Sequence, residues 1–337
     1  MTTSPPSPRW GYFYVVLAAV IWGVSGASGK FLFQQGVTPL QLVQIRVTLA
    51  SGFLFLWLVM RKRPLLSIAP KDIVYFLILG IVGMAMVQFT YFYTISKIKV
   101  AAAILLQYLA PTLIAIYSVI FAREKLTRLA LAAIIGATLG CYLVVGAYNF
   151  DLFELNKMGV LGGLCAALAF AFYSIYGEKG MQHYNPWTVL FYALLASAVF
   201  WNLGHFFWRG APAPLAALRQ SYSLVEWFWI IYIAVFGTVV PFGLYFEGVS
   251  LIRSTRASIT ATLEPITAGV VAYLFLGETM QPLQLLGGLL VIGSVVVLQL
   301  RQEYDDQAPS IIRARNQSKQ TQTTMMAQYG TDHHPID

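Results

Sequence analysis

Ten apolar runs follow one another along this 337-residue chain, over roughly 10–31, 40–60, 73–96, 100–122, 128–148, 158–178, 186–208, 227–248, 256–277 and 281–300. A helix rising 1.5 Å per residue needs about 20 such residues to cross the hydrocarbon core of a bilayer. Within lipid every backbone polar group must be satisfied internally, which leaves helices or closed barrels. The runs are about twice as long as a barrel strand and lack its alternation. The expected fold class is therefore an all-α membrane protein with ten transmembrane helices.

Composition agrees. Only 11% of the residues are charged and 58% are hydrophobic, against about 25% charged in a soluble domain, which excludes an ordinary water-soluble enzyme. The net charge of +8 comes from basic residues scattered between apolar runs. With no basic stripe or zinc-finger spacing, nucleic acid is excluded as a partner. Cys141 and Cys165 both fall inside apolar runs and read as apolar filler, so neither a disulfide framework nor a metal site is expected. No cofactor is implied.

With the N-terminus inside, cytoplasmic segments hold fifteen Lys and Arg, outer segments hold six, and Arg46 lies within a span. The positive-inside rule then places both termini in the cytoplasm. Residues 1–9, with Pro and Ser from Thr2 to Pro8, and residues 301–337, rich in Gln and Thr, are expected to be disordered cytoplasmic tails.

The chain also matches itself. Shifted by 154 positions, residues 91–124 lie over 245–278 without a gap, and nine of these 34 positions are identical. Among them are Pro111/Pro265 within helices and Glu124/Glu278 at helix ends. A shorter echo at a shift of 149 pairs Ser25 and Lys30 with Ser174 and Lys179, and Pro39 answers Pro186. The halves are thus 10–150 and 151–300, five runs each. Five is odd, so the second half is expected upside down relative to the first. Inverted repeats of this kind build secondary transporters, in which substrate binds near the midplane between the halves.

The segments Leu263-Glu264-Pro265, Leu276-Gly277-Glu278, Gln284 and Gly287-Gly288 resemble the closing half of the EamA family of the drug/metabolite transporter superfamily. Pro111, Glu124, Gly136 and Gly140 resemble the matching part of its first half, and Trp22-Gly23, Pro39 and Arg46 also fit. Arg123 stands where the pattern of the second half has Gly277. The resemblance spans about 10–300. It implies ten helices in two inverted five-helix repeats, and export or uptake of small metabolites such as amino acids.

Charge inside a span marks function, because a carboxylate near the bilayer centre costs about 2.5–3.5 kcal/mol on insertion scales. Glu264 sits immediately before Pro265. It is expected either to face a central cavity, pairing with a substrate ammonium or relaying a proton, or to make a structural hydrogen bond. Arg46 lies seven residues past Pro39, about 10 Å deep at helical rise. It reads as structural or gating, with a substrate carboxylate as its alternative partner. Pro111, Pro241 and Pro265 free backbone carbonyls by removing a donor, and Glu124 and Glu278 close helix ends. The remaining cavity candidates are polar and aromatic groups deep in spans: Trp22, Ser25, Gln88, Tyr91, Gln107, Tyr108, Tyr173, Tyr176, Ser258 and Thr262.

The leading expectation is a secondary transporter exporting small organic metabolites, driven by a proton gradient or by diffusion alone, as a monomer or a homodimer. The alternative is a multi-pass enzyme acting on a lipid or lipid-linked substrate. Such an enzyme needs clustered acids, His or a nucleophile motif, and the sequence offers none of them.

Overall fold

A computed structural model describes residues 7–98, 100–121, 127–144, 148, 156–206, 213, 215–276, 281–300 and 307–318, and among the described residues there is no strand. In chain order the helices are α1 (Pro8–Gln34), α2 (Pro39–Arg61), α3 (Pro70–Lys97), α4 (Val100–Gln107), α5 (Ala110–Ile120), α6 (Arg128–Val144), α7 (Lys157–Met181), α8 (Pro186–Leu203), α9 (Leu224–Ala261), α10 (Glu264–Leu276), α11 (Pro282–Leu300) and α12 (309–318). Helix starts follow local chemistry. Thr38 and Gln41 form a capping box with Pro39 at the first position of α2, and the Asn185 side chain caps α8 ahead of Pro186 by accepting from Trp187 N. Each cap is worth about 1 kcal/mol.

Six of these elements are long and apolar enough to cross a membrane: α2, α3, α7, α8, α9 and the stretch Ala103–Ile120 that joins α4 to α5. The outer surface is apolar, with Phe55, Leu139, Leu168 and Leu289 exposed, whereas Gln44, Arg46, Gln88, Thr94 and Thr238 are buried. Lipid tails accept such a surface, and water does not. The protein is a multi-pass membrane protein.

Packing runs between distant parts of the chain. α1 lies against α9 and α10, α7 against α3 and α4–α5, α2 against α8, and α6 against α11. The last pair meets through glycine. A Cβ on Gly140 would stand 2.8 Å from the Gly287 carbonyl, and one on Gly287 would stand 2.7 Å from the Gly140 carbonyl. Only hydrogen at both positions lets these backbones touch.

The helices are interrupted at recurring places. Wide π-type turns occupy Leu79–Ala85 in α3 and Val235–Val239 in α9, and Gly83 and Gly237 stand 154 residues apart within them. Tyr108-Leu109 separates α4 from α5, and Thr262-Leu263, again 154 residues on, separates α9 from α10.

Three expectations are corrected. The run over 256–277 is not a single helix, because α9 continues through a kink at Arg253 to Ala261 and α10 begins anew at Glu264. The polar tail over 301–337 is not wholly unstructured, since 309–318 is helical. Its Arg313 donates to the carbonyls of Met181 and Tyr184, both at 2.8 Å, and so satisfies the open end of α7. Burial brings that guanidinium below its ordinary range, and the Glu247 carboxylate acts in the opposite sense. The N-terminal tail ends sooner than expected, because Ser7 caps a helix that starts at Pro8. Glu124 and Glu278 lie outside the described residues.

Candidate functional site

Three of these interruptions, at Gly237, at Tyr108 and just before Glu264, converge on one interior cavity of about 60 Å³, room for a few water-sized groups. Trp22 and Ser25 reach it from α1, Arg46 from α2, and Gln88, Tyr91 and Phe92 from α3. Gln107, Tyr108 and Pro111 enter from the break between α4 and α5, Gly237 and Phe242 from α9, and Glu264 from the start of α10. Phe170 of α7 also lines it, 6.4 Å from Trp22 between ring centroids, while Phe242 packs against Trp22 at 4.9 Å.

Prolines explain why two charged or polar side chains sit here. A helical carbonyl accepts from the N–H four residues on, and proline has none. Pro241 therefore frees the Gly237 carbonyl, and Pro265 frees the Ala261 carbonyl. Arg46 Nη2 donates to the first at 2.6 Å, and Tyr108 Oη lies 2.7 Å from the second. Each freed acceptor is met by a side chain from the cavity wall.

Arg46 is buried and held on three sides. Its Nε donates to Thr238 Oγ1 at 2.5 Å, and its guanidinium lies 4.9 Å from the centroid of the Phe92 ring. Thr238 passes its own hydrogen to the Ile233 carbonyl at 2.8 Å across the wide turn. Among the described residues no carboxylate lies within ion-pair distance of Arg46. The cation is thus solvated by neutral oxygens and a π face, and its charge is left to the cavity.

Glu264 stands at the other charged point, at the N-terminus of α10, where the helix dipole favours an anion. Its Oε2 lies 2.7 Å from Tyr108 Oη. Tyr91 Oη and Gln107 Oε1 are buried without a partner, and Gln88 Nε2 reaches only Met84 Sδ at 3.4 Å. A buried polar atom without a partner costs about 1–3 kcal/mol, and Tyr91, Gln107 and Gln88 all line the cavity.

Of the residues singled out in the sequence, the cavity gathers Trp22, Ser25, Gln88, Tyr91, Gln107, Tyr108 and Glu264, together with Arg46 and Pro111. It does not gather four others. Tyr173 is fully buried, stacked 4.6 Å from Phe246, and Tyr176 stacks 4.7 Å from Tyr75. Ser258 and Thr262 return their hydroxyls to their own helix, at Thr255 O (3.0 Å) and Ile259 O (2.6 Å). All four stand outside the cavity lining, and the Tyr173 hydroxyl is buried without a partner. Pro241 and Pro265 act from behind the wall through the carbonyls they release. Sequence reasoning missed Phe92, Phe170, Phe242 and Thr238. It also missed Glu178, which pairs with Arg253 at 3.0 Å and accepts from Ser254 N at 2.7 Å. A carboxylate at the end of the sixth run was the available signal for that pair.

Comparison with known proteins agrees with this architecture. The EamA-like transporter family matches residues 9–146 and 157–300. An uncharacterised inner membrane transporter YicL from Salmonella typhimurium is 30% identical over 302 residues, covering 87% of this chain and 96% of its own. The threonine/homoserine exporter RhtA of Escherichia coli is 24% identical over 306 residues, covering 88% of this chain and 94% of its own. A solved crystal structure at 18% identity superposes with a TM-score of 0.67, over 87% of this chain and 96% of that one, a likeness of fold. These named relatives are transporters and not enzymes. With both halves matched and a 30% identical relative covered almost end to end, the chain belongs to the EamA-like transporter family.

Proposed function

We propose that the protein is a secondary transporter of small zwitterionic metabolites, amino acids or close relatives, exporting them across the cytoplasmic membrane by alternating access. One observation carries this reading. A single interior cavity holds an uncompensated cation, Arg46, and a carboxyl group, Glu264, each seated where a proline has opened a helix. An amino acid presents its carboxylate to Arg46, its ammonium to Glu264 and its side chain to the rings of Trp22, Phe170 and Phe242. The name of RhtA, a threonine/homoserine exporter, points the same way.

The frame proposed is ten spans in two inverted repeats with both termini cytoplasmic. Interruptions shared at a shift of 154 support it, as does the packing. In that frame α1 on α9 is the first span on the eighth, and α3 on α7 is the third on the sixth, which an exchange of halves interconverts. Trp10 and Tyr14 of α1 line one surface cleft with Ser310 and Arg313 of α12, which favours termini on one face. One chain encloses the cavity, so a monomer suffices.

Purified protein in liposomes tests this with labelled L-threonine, L-homoserine and a wider amino-acid panel, with and without an imposed pH gradient. The expected result is flux above protein-free vesicles for at least one zwitterion, lowered about tenfold or more by Arg46→Ala, since a hydrogen bond to a buried charge is worth about 1.5–3 kcal/mol. Absence of flux for the whole panel, or hydrolysis of a lipid-linked substrate in its place, overturns it.

A further inference from the structure

Tyr108 has one hydroxyl hydrogen and two close oxygens. Its Oη lies 2.7 Å from the Ala261 carbonyl and 2.7 Å from Glu264 Oε2. A carbonyl only accepts, and an ionised carboxylate only accepts. With Glu264 ionised, one of these contacts would press two oxygens together with no hydrogen between them. A proton on Glu264 completes the count: the carboxyl O–H donates to Tyr108, and Tyr108 donates to Ala261. The donor that a continuing helix would bring to the Ala261 carbonyl is missing, because the residue four on is Pro265.

We infer that Glu264 carries a proton in this conformation, and that Tyr108 converts that proton into a tie between the break of α4–α5 and the break of α9–α10. Tyr108 is thus a positioning residue acting through Glu264. The groups that face the carboxyl are Tyr108 and Tyr91, the Cys141 thiol from α6 and Arg46 across the cavity. α1 brings Trp22 and Gly23, which do not titrate. The N-terminus of α10 favours the anion, so the proton is exchangeable.

Its departure has a structural result. The proton passes to water in the cavity, the Tyr108 hydrogen turns to the new carboxylate, and the Ala261 carbonyl loses its donor. A substrate ammonium, a donor only, pairs with the carboxylate and not with the acid. The balanced step is acid plus ammonium giving a carboxylate–ammonium pair plus one released proton, an exchange of one for one. That exchange rests on the proposed transport function; the protonation state and the Tyr108 tie do not.

Infrared difference spectroscopy of the purified protein in neutral buffer, without substrate, tests the inference. Wild type minus Glu264→Gln is expected to show a carboxylic-acid carbonyl band, and isotope-labelled glutamate in the wild-type chain shifts that band without any substitution. Tyr108→Phe removes the acceptor for the acid, so the band moves to higher frequency and its pH midpoint changes. Loss of carboxylate bands alone in Glu264→Gln, or a labelled spectrum with no acid band, overturns the inference. So does a band that Tyr108→Phe leaves in place. Failure of amino-acid flux with the band present strikes the transport reading and leaves this one standing.

Discussion

Arg46 shows how a membrane interior tolerates a charge without pairing it. Two neutral oxygens and an aromatic face surround the guanidinium, and Thr238 is both an acceptor for Arg46 and a donor to Ile233. Thr238→Val keeps the shape and removes both bonds, so we expect a loss of about 1–3 kcal/mol in unfolding measurements in detergent, with Thr238→Ser recovering most of it. An unchanged Thr238→Val would show that the cation is solvated by other means. At this scale much of the site was legible. Arg46 and Glu264 stood out because charge within a span is expensive, and Gln88, Gln107 and Tyr108 because they are polar at depth. Tyr173, Tyr176, Ser258 and Thr262 carry the same signature and sit elsewhere. A sequence does not say which side of an all-apolar helix faces inward, nor whether a hydroxyl bonds a partner or the turn behind it.

The elements hold a second interruption whose cause is backbone conformation. Arg253 adopts φ 68°, ψ 165° inside α9, a region that essentially only glycine visits freely. Glu178 offsets this by binding the Arg253 side chain and capping the Ser254 amide. Arg253→Ala and Arg253→Gly both forfeit the ion pair, but only glycine relieves the backbone. The glycine variant should therefore be the more stable of the two by about 1–3 kcal/mol in thermal or denaturant unfolding. Equal stabilities would mean that the kink stores no strain. The sequence marks the place, since Arg253 falls in the gap between the runs ending at 248 and starting at 256, but not the conformation, because arginine is not a residue that favours positive φ. The breaks at Pro111 and Pro265 were legible because proline lacks a donor. A glycine sits in each wide turn, Gly83 and Gly237, but glycine by itself does not specify the extra residue per turn found there.

At the scale of the whole molecule, the packing of α1 on α9 and of α3 on α7 repeats one contact in two places. A protease site placed at each end of the chain should be cut from the same side in oriented vesicles, from the inner face and never the outer. Cleavage of one end from outside would dismantle the inverted-repeat frame. Ten apolar runs made an all-helical membrane protein readable, and their flanking charges are what the proposed layout rests on. The α12 helix was not readable, because its partner is the carbonyl end of a helix far away in sequence. Trimming a polar tail is a routine step before crystallisation. Here the cut would remove the guanidinium on which Met181 and Tyr184 rely, so a shortened chain would begin with the end of α7 frayed, and whatever is recorded from it would describe a loosened relative of the protein.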